Sequence, residues 1–149
     1  MIPEFNDQGN LPEGIHYASM QELIERFGYN AKRAWLLDGL NLLVKNLESA
    51  GCSLIYIDGS FVTEKEIPGD YDMAWSIEGV EEHIDRLDPC LFLNNPDDRK
   101  EIELKYRGDV FPAEIPEGAS GKTFLSFFQQ DKNTGEKKGI VAINIGGEQ

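Results

Sequence analysis

At 149 residues, with 40% hydrophobic and 28% charged side chains, the chain has the make-up of one globular domain with its own core. Its formal net charge of −13, from 27 acids against 14 bases with no Lys/Arg cluster, argues against tight non-specific binding to a DNA backbone. No apolar run is long enough to cross a bilayer, and the opening MIPEFNDQGN lacks the features of a signal peptide, so a cytoplasmic protein with no membrane partner is expected.

In chain order, residues 1–17 carry Pro3, Gly9, Pro12 and Gly14 and no sustained period. They predict an extended arm packed through Leu11 and Ile15 onto a single domain of residues 18–149. Ser19 with Glu22 forms a capping-box pattern, starting a short helix that runs through Phe27 and stops at Gly28. Asn30 can cap a second helix over 31–50, where Leu36, Leu40, Leu43 and Leu47 make an apolar stripe widened by Leu37 and Val44. That stripe is expected to face a sheet.

Residues 53–57 predict the first strand, ended by Asp58-Gly59-Ser60. Residues 61–69 are too short and charged for a buried helix, so one turn and a loop lead through Pro68-Gly69 into a second strand bearing Asp70 and Asp72. A helix over 79–87 is expected to turn Val80, Ile84 and Leu87 inward, with Pro89 closing it. The apolar piece Cys90-Leu91-Phe92-Leu93 suits either state. Asn95-Pro96 opens another helix, with Asp97 and Asp98 early and Lys105 and Arg107 late, matching the helix dipole; Gly108 ends it. Residues 109–113 read as a strand in which Pro112 marks an edge or an end. A loop over 114–121, a short helix over 123–130, a polar turn over 132–139 and a strand over 140–145 complete an interleaved pattern. Such a pattern predicts an α/β fold, or α+β under some schemes.

The chemistry centres on the Gly-Ser turn and the acids after it. Alternation along a strand sends Asp70 and Asp72 to one side. Carboxylates held that close repel unless a proton or a divalent cation sits between them. Mg²⁺ is the usual occupant of oxygen-only sites and is often completed by substrate phosphates. Gly59 allows a sharp turn and close approach to a ligand, and Ser60 can offer its hydroxyl and N–H to a phosphate. Lys65 and Lys122 offer point charges for phosphates.

Each feature also has a plainer reading. The acids can be ordinary strand ends, Ser60 a helix cap, and the lysines solvated. Gly121-Lys122-Thr123 lacks the preceding glycine and strand of a phosphate-binding loop. Cys52 and Cys90 lack metal-ligand spacing and read as reduced core thiols. His16 and His83 stand alone. Phe124, Phe127 and Phe128 have a helical spacing that favours core packing over base stacking, while Phe61 and Trp75 flank the acids.

Gly59-Ser60, the Asp70/Asp72 pair and Asp109 on a later strand together resemble the signature of the polymerase-beta-like nucleotidyltransferase superfamily. The wider words LPEGIH, GSFVTEKEIPGDYD, RGDVFPA, FLSFFQQD and KKGIVAI resemble a small bacterial and phage family of nucleotidyltransferase-like proteins. The resemblance implies a minimal palm-like fold, a central mixed sheet flanked by helices. It implies that Asp70, Asp72 and Asp109 bind Mg²⁺ or Mn²⁺ and are catalytic, and that Gly59 and Ser60 hold a nucleoside triphosphate, for whose phosphates Lys65 and Lys122 are candidates by charge alone. The implied reaction moves a nucleoside monophosphate from that triphosphate to a protein or RNA hydroxyl. The alternative it implies is an inactive module of the same fold that binds a protein partner, in a toxin–antitoxin or phage-defence setting.

Overall fold

The computed structural model describes residues 1–118, 120–131 and 134–146. Lys132 and Asn133 of the expected polar turn and Ala119 of the expected loop lie outside the described residues. The architecture is α/β: a central mixed sheet of five strands, flanked by helices. In chain order the strands are β1 (Gly14–Ala18), β2 (Leu54–Asp58), β3 (Tyr71–Trp75), β4 (Gly108–Pro112) and β5 (Gly139–Asn144). The helices are α1 (Met20–Phe27), α2 (Ala31–Ser49), α3 (Asp98–Tyr106) and α4 (Phe124–Phe128). Sheet order is β1-β5-β2-β3-β4, with β1–β5 and β3–β4 parallel and β2 antiparallel to both its neighbours. Among the described residues, no helix is long and apolar enough to cross a membrane.

Alternation along the strands divides the core in two. Ile55, Ile57, Met73, Trp75, Val110, Val141 and Ile143 point to the face covered by α1 and α2, where Leu23, Phe27, Leu36, Leu40, Leu43 and Leu47 are fully buried. Each such side chain contributes about 1.5–3 kcal/mol by leaving water. Tyr56, Ala74, Ile140 and Ala142 point to the opposite face, which α4 and its flanking segments cover with Phe124, Leu125, Phe127 and Phe128. The caps read from sequence are in place: Ser19 accepts from the Glu22 N–H and Asn30 from the Arg33 N–H.

Several local expectations are revised. Gly14–Ala18, read as part of an arm, is a strand of the sheet, paired with a segment more than a hundred residues away, so no local signal marks it. The expected helix over 79–87 is a 3₁₀ segment, Glu81–Arg86, interrupted at His83 (φ −133°). Val80 and Leu87 are buried as expected, but this break leaves Ile84 half exposed. The ambiguous apolar piece is a 3₁₀ turn, Pro89–Phe92, with Asp88 as its N-cap. Helix α3 starts at Asp98 rather than at Asn95-Pro96, and it ends on Arg107 in the left-handed region (φ 70°), not on Gly108. Gly108 has another reason to be glycine: a Cβ there would lie 2.5 Å from the Tyr71 ring. Pro112 is the last residue of the edge strand β4, where its missing N–H costs nothing.

Candidate functional site: an acidic cleft at the strand ends

The site begins with strand register. Asp58 pairs with Asp72 across β2 and β3, and Asp72 pairs with Asp109 across β3 and β4. Three carboxylates therefore stand in one row on adjacent strands. By alternation they share the face of Tyr56, Ala74 and Phe111, the side that α4 covers. Asp70, just before β3, joins Asp72 and Asp109 in lining a cleft of about 550 Å³.

The Gly-Ser turn is shaped to this row. Gly59 has φ +86°, and a Cβ at this position would lie 2.8 Å from Oδ2 of Asp72. Any other residue would be strained and would push against the carboxylate. Ser60 opens a 3₁₀ turn, Ser60–Val62, closed by the Thr63 N–H and hydroxyl donating to its carbonyl. Gly59 and Ser60 both line the cleft.

Behind that turn sits Arg33, a residue of α2 with no accessible surface. Its guanidinium donates to the carbonyls of Phe27, Phe61, Thr63, Lys65 and Glu66, at 2.5–3.4 Å. The rings of Phe27, Tyr29 and Phe61 pack around it. Burial lowers its pKa, with Tyr29 opposing. Arg33 thus ties the loop after Ser60 to α2 and fixes the floor from which the turn projects.

Among the described residues, two cations meet the acid row. Lys138, just before β5, places Nζ 3.0 Å from Oδ1 of Asp58, and both side chains are largely buried. Arg99 on α3 grips Asp109 with both arms, Nε to Oδ1 at 3.1 Å and Nη2 to Oδ2 at 3.2 Å. The hydrogen bonds and charge of Asp109, against slight burial, hold the Arg99 pKa above its ordinary value; Asp72 adds to this. A second cavity of about 240 Å³ adjoins the cleft and shares Asp72, Asp109 and Lys138 with it.

The site residues expected from sequence divide accordingly. The structure brings Asp70, Asp72, Asp109, Gly59 and Ser60 together around one cleft. Lys65 and Lys122 are exposed and line neither cavity; the Lys65 carbonyl serves Arg33, and the Lys122 ammonium donates to Gln130. Sequence reasoning did not select Asp58, Arg99 and Lys138. Asp58 directly precedes the Gly-Ser turn, but only its pairing with Asp72 places it in the row. Arg99 and Lys138 reach the row only through tertiary packing.

A second group of ligand atoms lies elsewhere. Asp88, Cys90 and Glu101 each offer one atom, all within 4.8 Å of one another, a spacing that can hold a metal ion. Here, however, Asp88 Oδ2 already accepts from Lys105 Nζ at 2.6 Å and from the Tyr106 hydroxyl at 2.5 Å. Burial opposes the Asp88 carboxylate, but these bonds and those from Cys90 outweigh it and hold its pKa below the usual range. Burial and the adjacent Asp88 push the Cys90 thiol up to about 12.

Residues 3–144 match the model of DUF6932, described as a family of unknown function. The chain belongs to that family. No curated protein and no solved structure matches it. Its function must therefore be argued from the cleft.

Proposed function

We propose that this DUF6932 member is a metal-dependent nucleotidyltransferase with a minimal palm-like fold, moving a nucleoside monophosphate from a nucleoside triphosphate to a protein or RNA hydroxyl. One observation carries the reading: Asp70, Asp72 and Asp109 line a single cleft together with the Gly59-Ser60 turn. The donor set suits Mg²⁺ or Mn²⁺, because these side chains offer only hard carboxylate and hydroxyl oxygens. Bound there, such a metal supplies positive charge to the phosphates and acidifies a nearby hydroxyl.

The chain's own groups account for the rest. Ser60 and the backbone of its turn approach the terminal phosphates. Arg99 and Lys138 border the acids and are better placed than Lys65 and Lys122 to contact phosphate oxygens. Asp109 takes the proton of the acceptor hydroxyl as that oxygen bonds to the α-phosphorus. The bond from that phosphorus to the bridging oxygen breaks, and pyrophosphate leaves.

A second reading is favoured by the ion pairs themselves. Arg99 on Asp109 and Lys138 on Asp58 neutralise acids of the row with protein cations, as an inactive, protein-binding module would. Calorimetry with Mg²⁺ or Mn²⁺ and the four nucleoside triphosphates, beside a folded Asp70→Ala/Asp72→Ala control, separates the two readings. Metal-dependent binding lost in the control supports the transferase. Heat from no triphosphate supports the module.

A further inference from the structure

We propose that the smaller cavity is the base subsite, so that the nucleoside triphosphate is held by ring stacking at one end and by charge at the other; this rests on the transferase reading. Its lining combines charged groups, Asp58, Asp72, Asp109, Arg99, Glu117 and Lys138, with the rings of Phe111, Phe124, Phe127 and Phe128. A ligand suited to both must be ionic at one end and flat and apolar at the other. A nucleotide has that division, with its phosphates toward the acids and its base toward the rings.

The aromatic wall is fixed before any ligand arrives. Phe111 and Phe124 stack with centroids 4.4 Å apart and planes within 9°. Phe128 meets both edge-on, at 6.2 and 6.4 Å. Phe128 is buried and anchors α4, whereas Phe111, Phe124 and Phe127 keep part of their surface accessible at the cavity. Helical spacing alone favoured core packing for Phe124, Phe127 and Phe128. Packing accounts for Phe128 and leaves the accessible surface of the other three to be explained. Arg99 extends the arrangement, since its guanidinium lies 5.4 Å from the Phe111 ring centroid while gripping Asp109. It therefore links the apolar wall to the acid row, where sugar and phosphates would join. A π-face accepts any base, so the wall supplies affinity rather than a choice among bases.

The test measures binding of ATP, GTP, CTP, UTP and inorganic tripolyphosphate to the whole chain by calorimetry with Mg²⁺. A base subsite predicts that the best nucleoside triphosphate binds about 10-fold or more tighter than tripolyphosphate. Phe124→Leu and Phe127→Ala should each remove most of that advantage and leave tripolyphosphate binding within about twofold. Phe127 is the second site if Phe124→Leu impairs folding, because Phe124 stacks on Phe111 and meets Phe128 edge-on, whereas Phe127 is partly buried. Equal affinity for tripolyphosphate and all four nucleotides would overturn the subsite and leave the transferase reading standing. So would a nucleotide preference that both variants retain. Binding of none of these ligands would overturn both.

Discussion

Two groups of acids among the described residues are built in opposite ways. Around Asp88, side chains of α3 and the backbone of the 3₁₀ turn close the site: Lys105 and Tyr106 donate to one carboxylate oxygen, and the Cys90 N–H donates to the other. In the row Asp58–Asp72–Asp109, three strands bring the carboxylates into register, and a cleft of about 550 Å³ remains before Asp72 and Asp109. Both groups have ligand chemistry. The difference is that the first spends its acid on holding α3 to the 3₁₀ turn, while the second keeps room for a ligand and borders it with Arg99 and Lys138. A count of acids does not distinguish them; the counter-charges and the space do.

The largest effect expected from breaking this contrast lies in the row. Asp72→Asn should cut metal-dependent transfer by roughly 10³-fold, since a metal's charge is worth several kcal/mol and each 1.36 kcal/mol is about tenfold in rate. Labelled-nucleotide transfer measures it. Asp88→Asn in the same assay should leave activity unchanged, and an equal loss would erase the distinction between the two groups.

Arg33→Met should destabilise the fold by about 3 kcal/mol or more, because five carbonyls lose a charged donor and hydrogen bonds to charged groups are worth about 1.5–3 kcal/mol each. Urea unfolding measures it, and Arg33→Lys should not rescue, because an ammonium cannot span that fan of acceptors. A loss below about 0.5 kcal/mol would show that Arg33 does not hold the turn.

Asp88→Asn should cost about 1–2 kcal/mol of stability. The direction with pH follows from a folded pKa held below the ordinary value: the contribution is present at neutral pH and is lost as pH falls through the folded pKa, on the acid side of the aspartate range. Stability curves of wild type and variant should therefore converge in acid. Curves that stay parallel would remove Asp88 as the cause.

The smallest effect concerns Arg99, which is mostly exposed. Exposed pairs are worth up to about 1 kcal/mol, so Arg99→Gln should tighten Mn²⁺ binding up to about fivefold by releasing Asp109. Weaker Mn²⁺ binding would mean that the guanidinium organises the acid rather than competing for it.

Much of this was readable from the chain because it is local. Caps at Ser19 and Asn30, the leucine stripe of α2, the glycine-serine turn and the two-residue spacing of Asp70 and Asp72 all act within a few residues. What could not be read depends on distance in sequence. Strand β1 exists because β5 pairs with it, and the residues GIHYA carry no clear alternation. Arg33 lies on the helix face that packs inward, where a charge would be expected to be absent, and only the five carbonyls explain it. Trp35, beside the stripe, is exposed and stacks with Arg107, whose guanidinium lies 4.2 Å from the ring centroid and donates to the Trp35 carbonyl. Asp58 needed the register, since only the pairing with Asp72 adds it to the row.

The most direct test of the central claim is Mn²⁺ titration of the isotope-labelled chain, followed by paramagnetic broadening of backbone amides. The account predicts early loss of signals from Ser60, from Tyr71 to Met73 and from Asp109, with Cys90 and Glu101 spared. Broadening centred on Asp88, Cys90 and Glu101, or no selective broadening at all, would contradict it.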